Sequence, residues 1–297
     1  MVLTDLPTNL PKNPTKSGQK RQALIKRLWE RIDEHDLLAR AAQLSYYFLL
    51  ALFPLLIFLM TLLGYFAAAG SELRDSLLSY LSTVMPYSAV TLVRSTLDEV
   101  TATRGGGRLS FSLLAALWVA SSGMGAISET LNAAYNVRET RPWWKVRLIS
   151  VGLTVALSVL ILAALIIVLY GGKIGDAVAS RIGYGIAFQL TWRLVQWPIM
   201  LAFVYLTFEF IYYFAPNRPR RGWHWATPGA LIAVIVWLLI SFSLRIYLHF
   251  FNSYSVTYGS LGALIVLMLW FYLTGMAVLI GGEINSELDD RVSLAVA

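Results

Sequence analysis

The sequence predicts an all-α integral membrane protein: a bundle of six transmembrane helices with an N-terminal amphipathic helix and short external helices. Two observations carry that prediction. Hydrophobic residues make up 57% of the 297 and charged residues only 14%, against roughly 45–50% and about 25% in soluble domains. Stretches without Asp, Glu, Lys or Arg also recur at lengths that satisfy the roughly 20 helical residues needed to cross a hydrocarbon core of about 30 Å. The clearest run from Ala41 to Ser71, Leu148 to Gly172 and Ile246 to Gly282.

Taken in order, residues 1–22 carry Pro7, Pro11 and Pro14 among Lys, Thr, Asn and Gly and read as a disordered cytoplasmic tail. No secretory signal peptide is expected, because the first apolar run is too long to be one. Residues 23–40 place Leu24, Ile25, Leu28, Trp29 and Ile32 at helical spacing opposite Lys26, Arg27 and Arg31. That pattern fits an amphipathic interfacial helix, or a solvated helix packed on the cytoplasmic loops. Residues 41–286 form the transmembrane domain, with spans near 44–69, 109–134, 147–171, 186–214, 226–251 and 259–283. The long stretch after Ile246 is divided by the turn-forming Asn252-Ser-Tyr-Ser-Val-Thr-Tyr-Gly259. Residues 70–107 form an external segment, where Leu73, Leu77, Leu78 and Leu81, then Val90, Val93, Leu97 and Val100, suggest two short amphipathic helices separated by Pro86. Residues 287–297 read as a cytoplasmic tail.

Loop charge sets the expected orientation. With the N-terminus inside, 16 Lys and Arg residues fall on the cytoplasmic side and six on the other, so both termini are expected in the cytoplasm of a bacterial inner membrane. Trp143, Trp144, Trp223 and Trp225 then fall at the inner interface, as an aromatic belt would. The net charge of +7 is absorbed by this bias, and no nucleic-acid partner is expected.

Within the spans, six ionisable residues stand out: Arg193, Arg245, His249, Glu129, Glu209 and Glu283. A charge at the centre of a span costs at least about 2.5–3.5 kcal/mol, so such residues face a bundle interior, a partner or water. The expected topology puts Arg193, Arg245 and His249 in an outer basic layer and Glu129, Glu209 and Glu283 in an inner acidic one. They are candidates for a substrate-binding polar lining that an anionic headgroup would feel. The competing reading has the arginines snorkel to headgroups and the glutamates pair with Arg218, Arg220 or Arg221. Ser121, Gly125 and Glu129 share one helical face that is expected to meet the bundle. Pro54, after the polar Gln43, Ser45, Tyr46 and Tyr47, marks a hinge or an interfacial anchor with a tolerated proline.

No metal, cofactor or catalytic site is expected. The chain has no cysteine, and its three histidines, His35, His224 and His249, lie far apart. Gly105-Gly-Gly107 lacks the Lys-Ser/Thr of a phosphate loop. Enzyme chemistry, a nuclease included, is therefore not expected.

Five stretches, in order, resemble one family. Leu44-Ser-Tyr-Tyr-Phe-Leu-Leu-Ala-Leu-Phe-Pro-Leu56 is similar to a first-span motif. Gly125 through Asn132 with Tyr135-Asn136-Val137 is similar to a second. Tyr213-Phe-Ala-Pro216 with Trp225 and Pro228-Gly229-Ala230 forms a third, and Tyr258-Gly-Ser-Leu261 with Leu269-Trp-Phe-Tyr272 a fourth. Gly281-Gly-Glu-Ile-Asn285 completes the set. Together they resemble the YihY/BrkB family, once labelled ribonuclease BN, over about residues 25 to 288. Where the family often has Ala before the glutamate, this chain has Gly282. The resemblance implies a six-helix inner-membrane protein with cytoplasmic ends. Its virulence-factor name implies serum resistance, its ribonuclease label is regarded as an error, and transport of lipids or other envelope molecules is suspected at family level. Three readings follow: a transporter or translocator of a lipid or other anionic envelope molecule, a non-catalytic envelope scaffold or assembly factor, and a membrane-embedded enzyme. No inverted repeat relates the two halves of the chain.

Overall fold

The computed structural model describes residues 30–67, 75, 78, 79, 94, 106–182, 185–218, 227–250 and 260–296. The expected tail 1–22, the expected interfacial segment before residue 30 and nearly all of the expected external segment 70–107 lie outside the described residues.

Six long helices follow in chain order: α1 (Leu37–Ala67), α2 (Gly106–Ala134), α3 (Trp143–Ile182), α4 (Gly185–Phe214), α5 (Pro228–Phe250) and α6 (Ser260–Val296). All the described regular structure is helical. Five of these helices (all but α2) are long and apolar enough to cross a membrane. Pro54 and Pro198 sit inside α1 and α4 without ending them.

Local chemistry sets the boundaries. α2 stops at Asn136, whose φ of 50° is left-handed. Val137 N donates to Asn132 O at 2.8 Å and Asn136 N to Ala133 O at 2.9 Å. This is the crossed pair of bonds with which a helix end satisfies its last carbonyls. α5 starts on Thr227, whose hydroxyl accepts from Ala230 N at 3.4 Å, with Pro228 in the first turn where its missing N–H costs nothing.

The helices fall into two groups. α1, α2, α5 and α6 make an antiparallel four-helix unit: α1 packs on α2 and α6, and α6 on α5. Gly275 approaches Ala41 and Leu44, while Phe271 meets Phe48 at 5.8 Å, so rising numbers on α1 meet falling ones on α6. α3 and α4 pack on one another as a hairpin.

The hairpin joins the unit in an order that the loop charges do not anticipate. Trp118 of α2 meets Trp143 of α3 at 6.2 Å, and seven residues further along each helix Gly125 faces Ser150. Antiparallel neighbours would pair rising with falling numbers, so α2 and α3 run in the same sense where they touch. Apolar length and loop charge state that a segment can cross a membrane, not which neighbour it packs against.

Both chain ends also differ from expectation. Residues 30–34 form a short helical turn, His35 and Asp36 break it, and α1 starts at Leu37. Asp36 has a φ of 50°, and Arg40 Nε closes the break by donating to His35 O at 2.8 Å. The expected continuous helix over 23–40 is therefore interrupted, and Arg31, assigned to its polar face, turns inward. At the other end α6 continues to Val296 where a tail was expected from residue 287.

Candidate functional site

The functional geometry is concentrated at one end of the four-helix unit, where α1 and α5 begin and α2 and α6 finish, joined there by the end of α4. Small residues bring the backbones together first. A Cβ on Gly281 would lie 2.6 Å from Gly229 O and 2.8 Å from Ala233 Cβ, and one on Gly282 would lie 2.7 Å from Leu131 Cδ2. Only glycine permits that approach. Tyr212, fully buried, fills the junction and donates to Val278 O at 2.7 Å.

Around this contact lie three polar clusters. In the first, Arg31 Nε donates to Glu283 Oε2 at 3.0 Å, Nη1 to Glu287 Oε2 at 3.1 Å, and Nη2 to Ser286 Oγ at 2.7 Å and to Ala134 O at 3.5 Å. His35 Nδ1 meets the other oxygen of Glu283 at 2.5 Å. Glu283 is 1% exposed, so its charge is answered by these two residues rather than by water. In the second, Glu209 Oε1 accepts from Tyr205 Oη at 2.6 Å, Thr227 N at 2.6 Å and Thr227 Oγ1 at 2.9 Å. Asn285 joins it, accepting from Gly229 N at 2.8 Å and donating to Thr227 Oγ1 at 3.2 Å.

The third cluster is the root of the α3–α4 hairpin. Arg141 grips Glu139 through Nε and Nη2 at 2.8 and 2.6 Å, and Nη2 also reaches Ser128 Oγ at 3.1 Å and Ala215 O at 2.9 Å. Asn132 donates to Glu139 Oε2 at 2.8 Å and accepts from Asn217 N at 2.6 Å. The guanidinium of Arg141 holds the Glu139 carboxyl down to about 2. Close by, Arg218 pairs with Asp289 and lies 4.5 Å above the ring of Tyr135. Burial pushes the Tyr135 hydroxyl up to about 12.

Against this frame the six candidate residues separate. Glu209 and Glu283 are buried at the polar end. They do not share a cluster: among the described residues Glu209 meets Tyr205 and Thr227, and Glu283 meets Arg31 and His35. Arg218 pairs instead with Asp289, and Arg220 and Arg221 lie outside the described residues. Glu129 is exposed, while Ser121 on the same face is fully buried. Arg245 is exposed on α5. The side chains of Arg193 and His249 lie outside the described residues. Sequence reasoning missed Arg31, His35, Asn132, Glu139, Arg141, Glu287 and Asn285. The arginines were counted as orientation charges, and Asn132 and Asn285 appeared only as ends of two stretches that resemble the family.

The polar end lies within the part of the chain that is similar to known proteins. The family model for virulence factor BrkB matches residues 28–295, which takes in the polar end from Arg31 to Asp289. The chain is 39% identical over 272 residues to a ribonuclease-like protein, YfkH, of Bacillus subtilis, covering 92% of this chain and 97% of that one. It is 29% identical over 270 residues to a UPF0761 membrane protein of Xanthomonas oryzae pv. oryzae, covering 88% of this chain and 59% of the relative. A UPF0761 membrane protein of Xanthomonas axonopodis pv. citri matches at the same identity, with 60% of its length covered. The chain thus spans about three-fifths of the Xanthomonas relatives. No solved structure matches. With nearly the whole chain under the family model and a relative matched over almost its full length, this is a membrane protein of the BrkB virulence-factor family.

Proposed function

We propose that this protein is a multi-pass protein of the bacterial inner membrane, with six spans and both termini cytoplasmic, that moves a lipid or other anionic envelope molecule across the bilayer without covalent chemistry. Its partners on this reading are membrane lipids and not nucleic acid. The observation that carries it is Arg245, which is exposed on α5 between the exposed Phe242 and Ile246. A permanently charged guanidinium on an apolar helix face is costly in hydrocarbon. A phosphate or carboxylate headgroup drawn to that depth removes the cost by pairing with it.

For six spans to alternate in one bilayer, the α3–α4 hairpin has to swing about its root to lie beside the other four helices. That swing, about residues 135–142, would be the moving part of the cycle. A second reading, a non-catalytic scaffold, draws on a different observation: buried Glu209 and Glu283 are both engaged by neighbouring residues.

The deciding experiment is transbilayer movement of a labelled anionic phospholipid in proteoliposomes. Native protein is expected to accelerate it, with Arg245→Ala and Arg193→Ala slower. Equal rates from native protein, both variants and empty liposomes across anionic lipids would leave the scaffold.

A further inference from the structure

The elbow formed by the α2–α3 loop and the start of α3 uses its cations in two ways. Four basic residues lie between positions 138 and 147: Arg138, Arg141, Lys145 and Arg147. Two of them work inside the protein. Arg141 is bound to Glu139, Ser128 Oγ and the Ala215 carbonyl. Arg147 lies 4.2 Å from the centre of the Trp118 ring and donates through Nη2 to the Trp118 carbonyl. The other two do not. Arg138 and Lys145 are exposed, and among the described residues neither has an acidic partner. Their backbone is fixed all the same, since Arg138 O accepts from Asn217 Nδ2 at 2.8 Å and Lys145 N donates to Pro142 O at 2.9 Å.

Beside these two cations the first turns of α3 present large apolar side chains. Trp143 is 72% exposed, Trp144 61% and Leu148 66%. The Trp143 ring is held in place against Trp118, 6.2 Å away, which in turn lies under Arg147. An apolar patch carrying two unanswered cations calls for a neighbour that offers apolar and anionic groups at once. An acidic soluble protein would answer the cations alone. The headgroup region of a bilayer answers both, because indole rings settle at that level and anionic headgroups draw Lys and Arg.

We propose that Arg138, Trp143, Trp144, Lys145 and Leu148 form a docking surface for the anionic phospholipid headgroups of one leaflet. Lipid held here is not cargo: the surface lies at the root of the hairpin, on a different helix from Arg245, and its lipid stays in its own leaflet. Binding here needs the chain in a bilayer and does not need transport, so a failed flux assay leaves it standing.

Tryptophan fluorescence in proteoliposomes of the full chain tests this. The chain has ten tryptophans, so the elbow signal is the difference between the native protein and a variant carrying Trp143→Phe and Trp144→Phe. That signal should be quenched several-fold more strongly by brominated phosphatidylglycerol than by brominated phosphatidylcholine at the same mole fraction. The preference should vanish when Arg138→Gln is combined with Lys145→Gln, and persist in Glu129→Gln, an exposed charge on neighbouring α2. In the native protein it should also disappear in about 1 M salt, where the screening length is about 3 Å, a readout that depends on no substitution of a cation. Equal quenching by the two lipids, or a preference that survives either loss of both cations or high salt, overturns the proposal. An elbow signal that neither lipid quenches overturns it too, and assigns the face to a water-soluble partner.

Discussion

The polar end of the four-helix unit and the α3–α4 hairpin are built from the same apolar alphabet, yet they are held together differently. At the polar end Leu131, Tyr212 and Leu279 are fully buried, and glycines let α5 and α6 touch backbone to backbone. Along the hairpin Val159, Leu194, Val195, Trp197 and Leu201 face outward. In lipid an apolar surface gains little by leaving its surroundings, because the acyl chains are as apolar as leucine. Close approach and polar contacts hold the helices instead, so packing is tight where the chain supplies Gly, Ser, Asn, Glu and Arg. Where it supplies only Leu, Val and Ile, the side chains meet the acyl chains.

The largest test of this contrast is all-or-none. The chain has no cysteine, so paired substitutions report on one contact at a time. Gly125→Cys with Ser150→Cys should form a disulfide on mild oxidation, because a Cβ at position 125 lies 3.7 Å from Ser150 Oγ. Trp118→Cys with Leu157→Cys, the pairing an antiparallel α2 and α3 would bring closer, should not. The opposite result would put the hairpin back in simple alternation.

A smaller effect separates core from surface. Leu279→Ala removes a fully buried side chain and should cost about 2–5 kcal/mol of stability in detergent. Leu194→Ala, at a side chain 73% exposed, should stay within about 0.5 kcal/mol. Similar losses at both would mean that the hairpin is as tightly packed as the polar end.

The smallest effect is at the hairpin root. Arg141 lowers the Glu139 pKa from 4.5 to about 2. A carboxylate whose folded pKa is depressed contributes stability that is fully present above its unfolded value and is lost as pH falls through the folded one. Thermal melts should therefore show a modest loss between about pH 4.5 and 2 that is missing in Glu139→Gln. The loss should be small because the group is largely exposed and screened by solvent.

The sequence announced the helices well. Each expected span has a described helix over it. The buried acids were legible as well, since Glu209 and Glu283 stand out in apolar surroundings. Their partners were not. Arg31 looked like one more basic residue on the polar side of a surface helix, and nothing in its neighbourhood points to a glutamate 252 positions away.

By itself, then, the sequence determined that the chain is helical, apolar enough for a membrane, free of thiol chemistry and basic at its loops. These properties follow from local composition and from the length of helix that a bilayer demands. Only the tertiary structure decided that α3 runs alongside α2 in the same sense, that Arg31 and His35 answer Glu283, and that the hairpin root is clamped by Arg141. Such contacts depend on which helix faces meet, and a hydrocarbon solvent, indifferent to one apolar face over another, leaves that choice to a few small and polar residues brought together from distant parts of the chain.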